Sequence, residues 1–186
     1  LLSTLISSKT RVKLLLKFFL NSDTTGYLRG LESEFGDSTN AIRQELNRFE
    51  EAGLLQSYAE GNKKFFQANT SHPLFREIHS IMLKHLGLDQ LIATVVERLG
   101  NLDKAYLTGD FAKGKDSPII DLLLIGNPDR QYLQNLVEKA EKLIHRKISF
   151  VVYHTDEAAQ IPWSQMNPKP FLLWSNSQET NKNSNG

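Results

Sequence analysis

Two groups of residues in this chain have types and spacings suited to chemistry. In the first, Thr39, Asn40, Arg43, Gln44 and Asn47 fall on one side of a helical period, while Ile42, Leu46 and Phe49 fall on the other. These polar types read base edges: Arg pairs with guanine, Asn or Gln with adenine, and Thr meets a phosphate or a thymine methyl. Arg43 and Asn47 are four apart and project together. Ser38 is placed to cap the helix, whose N-terminus then offers amides to a phosphate. Lys63 and Lys64 follow on a hairpin, positioned for backbone or minor-groove contact. The second group is the turn Gly109-Asp110, followed by Asp121 inside an apolar run. One or two carboxylates plus substrate phosphates suffice for Mg²⁺, so weak metal binding there is conceivable.

The elements that must position the first group are legible. Lys9 to Leu20 carries Val12, Leu15, Leu16 and Phe19 as a helical stripe, with Lys13 and Lys17 expected outside it. Tyr27 to Phe35 is a short second helix with Leu28, Leu31 and Phe35 on one side, ending at Gly36. Asp37 or Ser38 caps the third, and Gly53 sits where a left-handed cap belongs. Leu54 to Tyr58 and Lys64 to Ala68 are strands joined by turn residues Glu60-Gly61-Asn62. Three helices and a hairpin in this order make a winged helix-turn-helix. An unrelated helical bundle with a hairpin is the blander alternative. A merely solvated polar face is likewise the alternative to DNA reading. Amides and Arg in place of Glu/Lys pairs, a capped N-terminus and an adjacent basic hairpin count against it. Glu45, Glu50 and Glu51 lower the local potential, so modest affinity per monomer, and hence a dimer, is expected.

Beyond the hairpin, Ser71-His72-Pro73 opens another helix with Leu74, Ile78, Ile81, Met82 and His85 on its apolar side. Gly87 breaks it. Leu88 to Leu99 continues as an amphipathic helix through Leu91, Ile92, Val95, Val96 and Leu99. Then the pattern changes to a strand at Ala105 to Leu107, a strand at Ile120 to Ile125, a helix at Leu133 to Ile144 and a strand at Ile148 to Tyr153. That order is a small mixed α/β domain. Phe171 to Trp174 is expected to dock on it, with Trp163 and Trp174 as anchors. The resulting fold class is α+β. Expected boundaries are 1–70 for the DNA-binding domain, 71–100 for a helical linker and dimerisation segment, 101–174 for the α/β domain and 175–186 for a polar, disordered tail.

The turn and strand Leu107-Thr108-Gly109-Asp110 to Asp121 resemble the signature of the minimal nucleotidyltransferase family, a Gly-Ser turn followed by Asp-x-Asp on the next strand. The first seventy residues are similar to an ArsR-like winged helix. The joint, Lys64-Phe65-Phe66-Gln67-Ala68-Asn69 then His72-Pro73-Leu74-Phe75, resembles bacterial regulators that unite the two. The resemblance covers roughly Ser8 to Glu157. It implies an N-terminal DNA reader, a linker suited to dimer contacts and a degenerate nucleotidyltransferase-like domain. The family's chemistry needs divalent ions held by three carboxylates. Asp110 replaces the phosphate-gripping Ser, Ile119 the first metal-binding Asp, and Ser149 stands where the third carboxylate belongs; Gly109 and Asp121 remain. Asp116 lies in the connecting loop, stiffened by Ser117-Pro118.

The reading is therefore a DNA-binding transcriptional regulator without catalytic residues, cofactor or metal site, acting on double-stranded DNA as a homodimer, with room for a small-molecule effector. An active nucleotidyltransferase is the alternative, and a toxin-antitoxin component is a third reading by analogy alone. A formal net charge of +1 excludes a global basic field, so DNA binding must come from local placement. The absence of cysteine removes disulfides and thiolate metal sites. Leu14 to Leu20 is apolar but interrupted by Lys17, with no cleavage site after it, so it is expected as a helix and not a leader. No apolar stretch reaches the roughly 20 residues that span a bilayer, and a cytoplasmic protein is expected. His72 and His79 are close to two turns apart, but with His85, His145 and His154 scattered, solvated or capping roles are the default.

Overall fold

The computed structural model describes residues 2–176. The fold is α+β, and the described chain divides into two compact units, 2–86 with 113–116, and 87–112 with 117–176. The expected linker, 71–100, is thus shared between them at Gly87.

In the first unit, a short α1 (Leu2–Leu5) precedes α2 (Lys9–Phe19), which Ser8 caps by accepting from the Arg11 amide at 3.2 Å. Leu14 and Phe18 are fully buried alongside Leu15, Leu16 and Phe19, while Val12 is only half-buried. Lys17, expected outside the stripe, is buried too, with its ammonium on the Glu34 carboxylate at 2.9 Å. The reason is that α2 has packed neighbours on more than one side, so a single-stripe reading undercounts its core.

Tyr27, expected as a helical residue, is extended at φ −123°, ψ 157° and pairs with Phe65, while Gly26 pairs with Phe66. This β1 (Gly26–Tyr27) is too short to show a period of its own. It leads directly into α3 (Leu28–Phe35), which ends at Gly36 with φ 68°. Only Leu31 of the expected α3 stripe is fully buried. In α4 (Thr39–Glu51), Ser38 Oγ accepts from the Ala41 amide at 3.2 Å, and Ile42, Leu46 and Phe49 are buried as expected. Its end is a Schellman motif: Gly53 N–H donates to Glu50 O and Leu54 N–H to Phe49 O, both at 2.9 Å, with Gly53 at φ 71°. Strands β2 (Leu55–Glu60) and β3 (Lys63–Ala68) close over a two-residue turn at Glu60↔Lys63. The sheet has the order β1-β3-β2. Helix-turn-helix plus this three-stranded wing is the winged-helix architecture.

Ser71, His72 and Pro73 form turns, and α5 starts later, at Phe75, and runs to Leu86. His72 Nδ1 accepts from the Leu74 amide at 3.1 Å, a local cap that takes the place of a first helical turn. Phe75 packs on Phe19 with ring centroids 5.8 Å apart. Met82 and Leu86 are the buried residues of α5; Leu74 and Ile81 are 55% and 46% exposed. Of the expected stripe, Met82 is buried and Ile78 and His85 are half-buried, while Leu74 and Ile81 face outward and Leu86 joins the buried edge.

The second unit opens with Gly87 at φ 77°, then α6 (Leu88–Leu91) and a π-helical stretch, Ile92–Val96, where one regular helix was expected. The wider turn leaves the adjacent Val95 and Val96 both buried, and the segment packs on α8. The mixed sheet has the order β6-β5-β4-β7. Here β4 is Leu102–Leu107, β5 Ile119–Gly126, β6 Lys147–Tyr153 and β7 Phe171–Ser175. A short α7 (Gly109–Ala112) bridges β4 and β5, and α8 (Arg130–Ile144) makes the crossover between parallel β5 and β6. The expected docking segment is a true edge strand: Trp174 pairs with Ala105 and Ser175 with Lys104. Ser175 thus belongs to the sheet and not to a tail, and residues 177–186 of that expected tail lie outside the described residues. Trp163 does anchor its segment, with its ring 4.9 Å from that of Tyr106, beside the core of Leu123, Ile125 and Ile161. Among the described residues no helix is long and apolar enough to cross a membrane.

Candidate nucleic-acid interface

The helix α4, the start of α3 and the wing enclose a cleft of about 520 Å³. Its polar lining is Arg29, Arg43, Asn47, Asn62, Lys63 and Lys64, and its apolar lining Tyr27, Leu28, Leu46 and Phe66. Among the described residues no acidic side chain lines it. Of the residues singled out in the sequence, Arg43, Asn47, Lys63 and Lys64 come together here. Asn40 and Gln44 are exposed on α4 and Thr39 half-buried, outside the cleft lining, and the Ser38 hydroxyl is used as the helix cap.

The two wing lysines are not equivalent. Lys64 Nζ lies 2.7 Å from Glu50 Oε2, and Ser57 Oγ donates to the other oxygen of the same carboxylate. This neutralises Lys64 and ties the wing to α4. Among the described residues Lys63 has no carboxylate partner, and it sits 4.3 Å above the Tyr27 ring, a cation–π contact that fixes the stem. Among the described residues neither Arg29 nor Arg43 has a carboxylate partner either. Arg29 is exposed in the first turn of α3 and was not foreseen; the pairing of β1 with β3 brings that turn to the wing.

Several other cations of this unit are paired. Arg11 Nε is 2.8 Å and Arg48 Nη1 3.2 Å from the buried Glu45 carboxylate, and Lys13 Nζ is 2.8 Å from Asp37. Of the three glutamates expected to depress the potential on the reading face, Glu45 and Glu50 are consumed by ion pairs, while Glu51 is exposed at the end of α4. The Lys13 hydrogen bond holds Asp37 below its ordinary value of 3.8. The Lys64 and Ser57 hydrogen bonds hold Glu50 below 4.5. For Glu45, burial is the largest influence and pushes upward, but Arg11, Ser8 and Arg48 together outweigh it and the result is lowered.

In the second unit, the register places Asp121 beside Ser149 and Ile119 beside Lys147. Gly109 has φ 59°, and a Cβ there would collide with Asp121 Oδ2; Thr108 N–H donates to Asp121 O at 2.9 Å. Gly109 is therefore required for the close approach of turn and strand. Asp110 is half-buried in α7, and Ile119 and Ser149 are exposed. A two-metal clamp does not fit this donor set, because an alkyl group and a hydroxyl stand at two of the three positions. Among the described residues no three His, Asp or Glu side chains converge to hold a metal ion. His79 Nδ1 is bonded to Phe19 O at 2.7 Å and His154 Nδ1 to Asn127 Oδ1 at 2.6 Å, so these rings and the capping His72 are engaged locally.

No family model matches the chain, and no curated protein matches it. Solved structures give partial likenesses. Reduced HlyU from Vibrio cholerae is 20% identical with a TM-score of 0.35, covering 47% of this chain and 82% of its own. A protein from Archaeoglobus fulgidus is 17% identical with a TM-score of 0.37, covering 46% and 97%. A tri-AMPylated Shewanella oneidensis HEPN toxin in complex with MNT antitoxin is 18% identical with a TM-score of 0.36, covering 51% and 75%.

Because Asp37, Glu45 and Glu50 are held below their ordinary values, their contribution to stability is complete above those values and is lost as pH falls through the lowered ones. A Glu45→Gln variant should melt below the unmodified chain at neutral pH, and the gap should narrow once pH drops under 4.5, the ordinary value for Glu45. Thermal melts across that range check it; a gap independent of pH would show that the Glu45 charge is not what matters.

Proposed function

We propose that this chain is a sequence-specific DNA-binding transcriptional regulator that acts as a homodimer, and that its nucleotidyltransferase-like unit serves dimerisation or ligand sensing without transferring nucleotides. The observation that carries the reading is the acid-free cleft, where Arg29, Arg43 and Lys63 stand uncompensated beside the base-reading types of α4. A helix held at a groove's depth with a basic wing beside it is the arrangement that reads bases with one element and holds phosphates with the other. Arg43 and Asn47 would read bases; Arg29 and Lys63 would hold phosphates; Lys64 would brace the wing through Glu50.

Arg43→Ala should relax base preference and weaken specific binding by about 1–3 kcal/mol. Lys63→Ala and Arg29→Ala should weaken all sequences alike, each reducing the salt slope by about one. Selection from a random duplex library followed by salt titration measures both. No preference at moderate salt would remove the sequence-specific reading.

A dimer presents two reading helices to half-sites roughly 34 Å apart. The exposed side chains of Leu74, just before α5, and Ile81, on it, mark the surface proposed for the second copy. The outward residue is Ile81, since Leu83 is half-buried. Ile81→Glu should convert a dimer to a monomer in light scattering without loss of helical signal. A monomeric unmodified chain would eliminate the dimer.

The absence of transfer rests on Ile119, Ser149 and Asp110 standing where the chemistry needs two carboxylates and a phosphate donor. Incubation with labelled nucleoside triphosphates, Mg²⁺ or Mn²⁺ and cell extract should give no label that depends on Asp121. Label lost in Asp121→Ala but present with the unmodified chain would establish the alternative, an active nucleotidyltransferase.

A further inference from the structure

The geometry points to a second occupant of the wing cleft: a planar aromatic anion, a carboxylate or sulfonate, that binds on its apolar floor and competes directly with DNA. This deepens the proposed regulator by placing its effector in the DNA-reading unit. A phosphate strand needs the cations at the rim. It has no use for the half-buried Tyr27 and Leu28, which line the same space above the buried Leu46 and Phe66. A cleft of about 520 Å³ lies within the roughly 300–1,000 Å³ of small-ligand sites, which combine apolar walls with a few placed polar groups. Here the polar groups are Arg29, Arg43 and Lys63, all without a carboxylate partner, so the complementary ligand is an anion. Guanidinium groups also stack on aromatic faces, which favours a flat ring system over an aliphatic chain. Asn47 and Asn62 add amide donors at the same wall. Both occupants draw on Arg43 and Lys63, so binding is mutually exclusive by position, with no conformational relay required.

The test uses the full chain and 2-naphthalenesulfonate, followed by ¹H–¹⁵N amide shifts. Saturable shifts confined to Leu28, Arg43, Asn47, Asn62 and Lys63, reversed by added duplex, are expected. Inorganic sulfate at equal concentration should bind about tenfold or more weakly, because it leaves the apolar floor wet. Leu28→Asn, a change in a half-buried cleft wall, should weaken the naphthalene anion about fivefold. Equal affinity for sulfate and the naphthalene anion, or shifts scattered beyond the cleft, overturns the proposal without reliance on the variant. Duplex binding without anion binding removes this inference and leaves the regulator. Anion binding in the cleft without duplex binding keeps the ligand site and removes the DNA reading.

Discussion

The arrangement of the first unit depends on a two-residue backbone pairing, Gly26–Tyr27 against Phe65–Phe66. It fixes the start of α3 to the central strand of the wing. That places Arg29 and Lys63 on the same cleft as Arg43 and sets the Tyr27 ring under the Lys63 ammonium. Without it the hairpin would have two strands, and such hairpins are marginal alone in water. Gly26 suits the site because a Cβ there would lie 3.0 Å from Leu31 Cδ2, the one fully buried side chain of α3. The same pairing therefore serves the core and the interface.

Charge pairing then decides which cations remain available. The unit carries many basic side chains, yet Glu34, Asp37, Glu45 and Glu50 take up Lys17, Lys13, Arg11 with Arg48, and Lys64. The more exposed of these pairs, Lys13 with Asp37 and Lys64 with Glu50, add little stability individually, and their larger consequence is spatial. At the cleft, Arg29, Arg43 and Lys63 have no carboxylate partner among the described residues, in a chain whose net charge is only +1. A focused local field is what steers a polyanion when the global field is weak. Glu50 links the two effects, since it removes the charge of Lys64 while holding the wing against α4.

The second unit shows a different constraint. Gly109 and Asp121 approach so closely that any side chain at 109 would strike the carboxylate. This fixes the backbone of the turn against β5. Packing keeps the turn in place: Phe111, Ala112 and the apolar run of β5 bury around it. The shape of the turn is thus set by the core, while Ile119 and Ser149 stand at exposed positions.

The sequence by itself determined the elements whose signals are local. The buried stripe Ile42-Leu46-Phe49, the Ser38 cap and the Gly53 stop define α4 within a few turns, and with them the candidate residues Arg43 and Asn47. The apolar run 120–125 similarly announces a buried strand. What only the tertiary structure decided involves partners distant in the chain. Residues 26–27 have no period and become a strand only by meeting β3. Lys17 reads as a surface residue until Glu34 and the surrounding helices enclose it. Lys63 and Lys64 are adjacent and alike in sequence; Glu50 and Tyr27 separate their roles. Arg29 joins the cleft because a strand pairing places it there. Helix α5 satisfies its period with more than one inward edge, and the choice falls to what α2 presents. Periodicity reports that a face is buried; which face, and which charges survive neutralisation, depends on neighbours that only folding supplies.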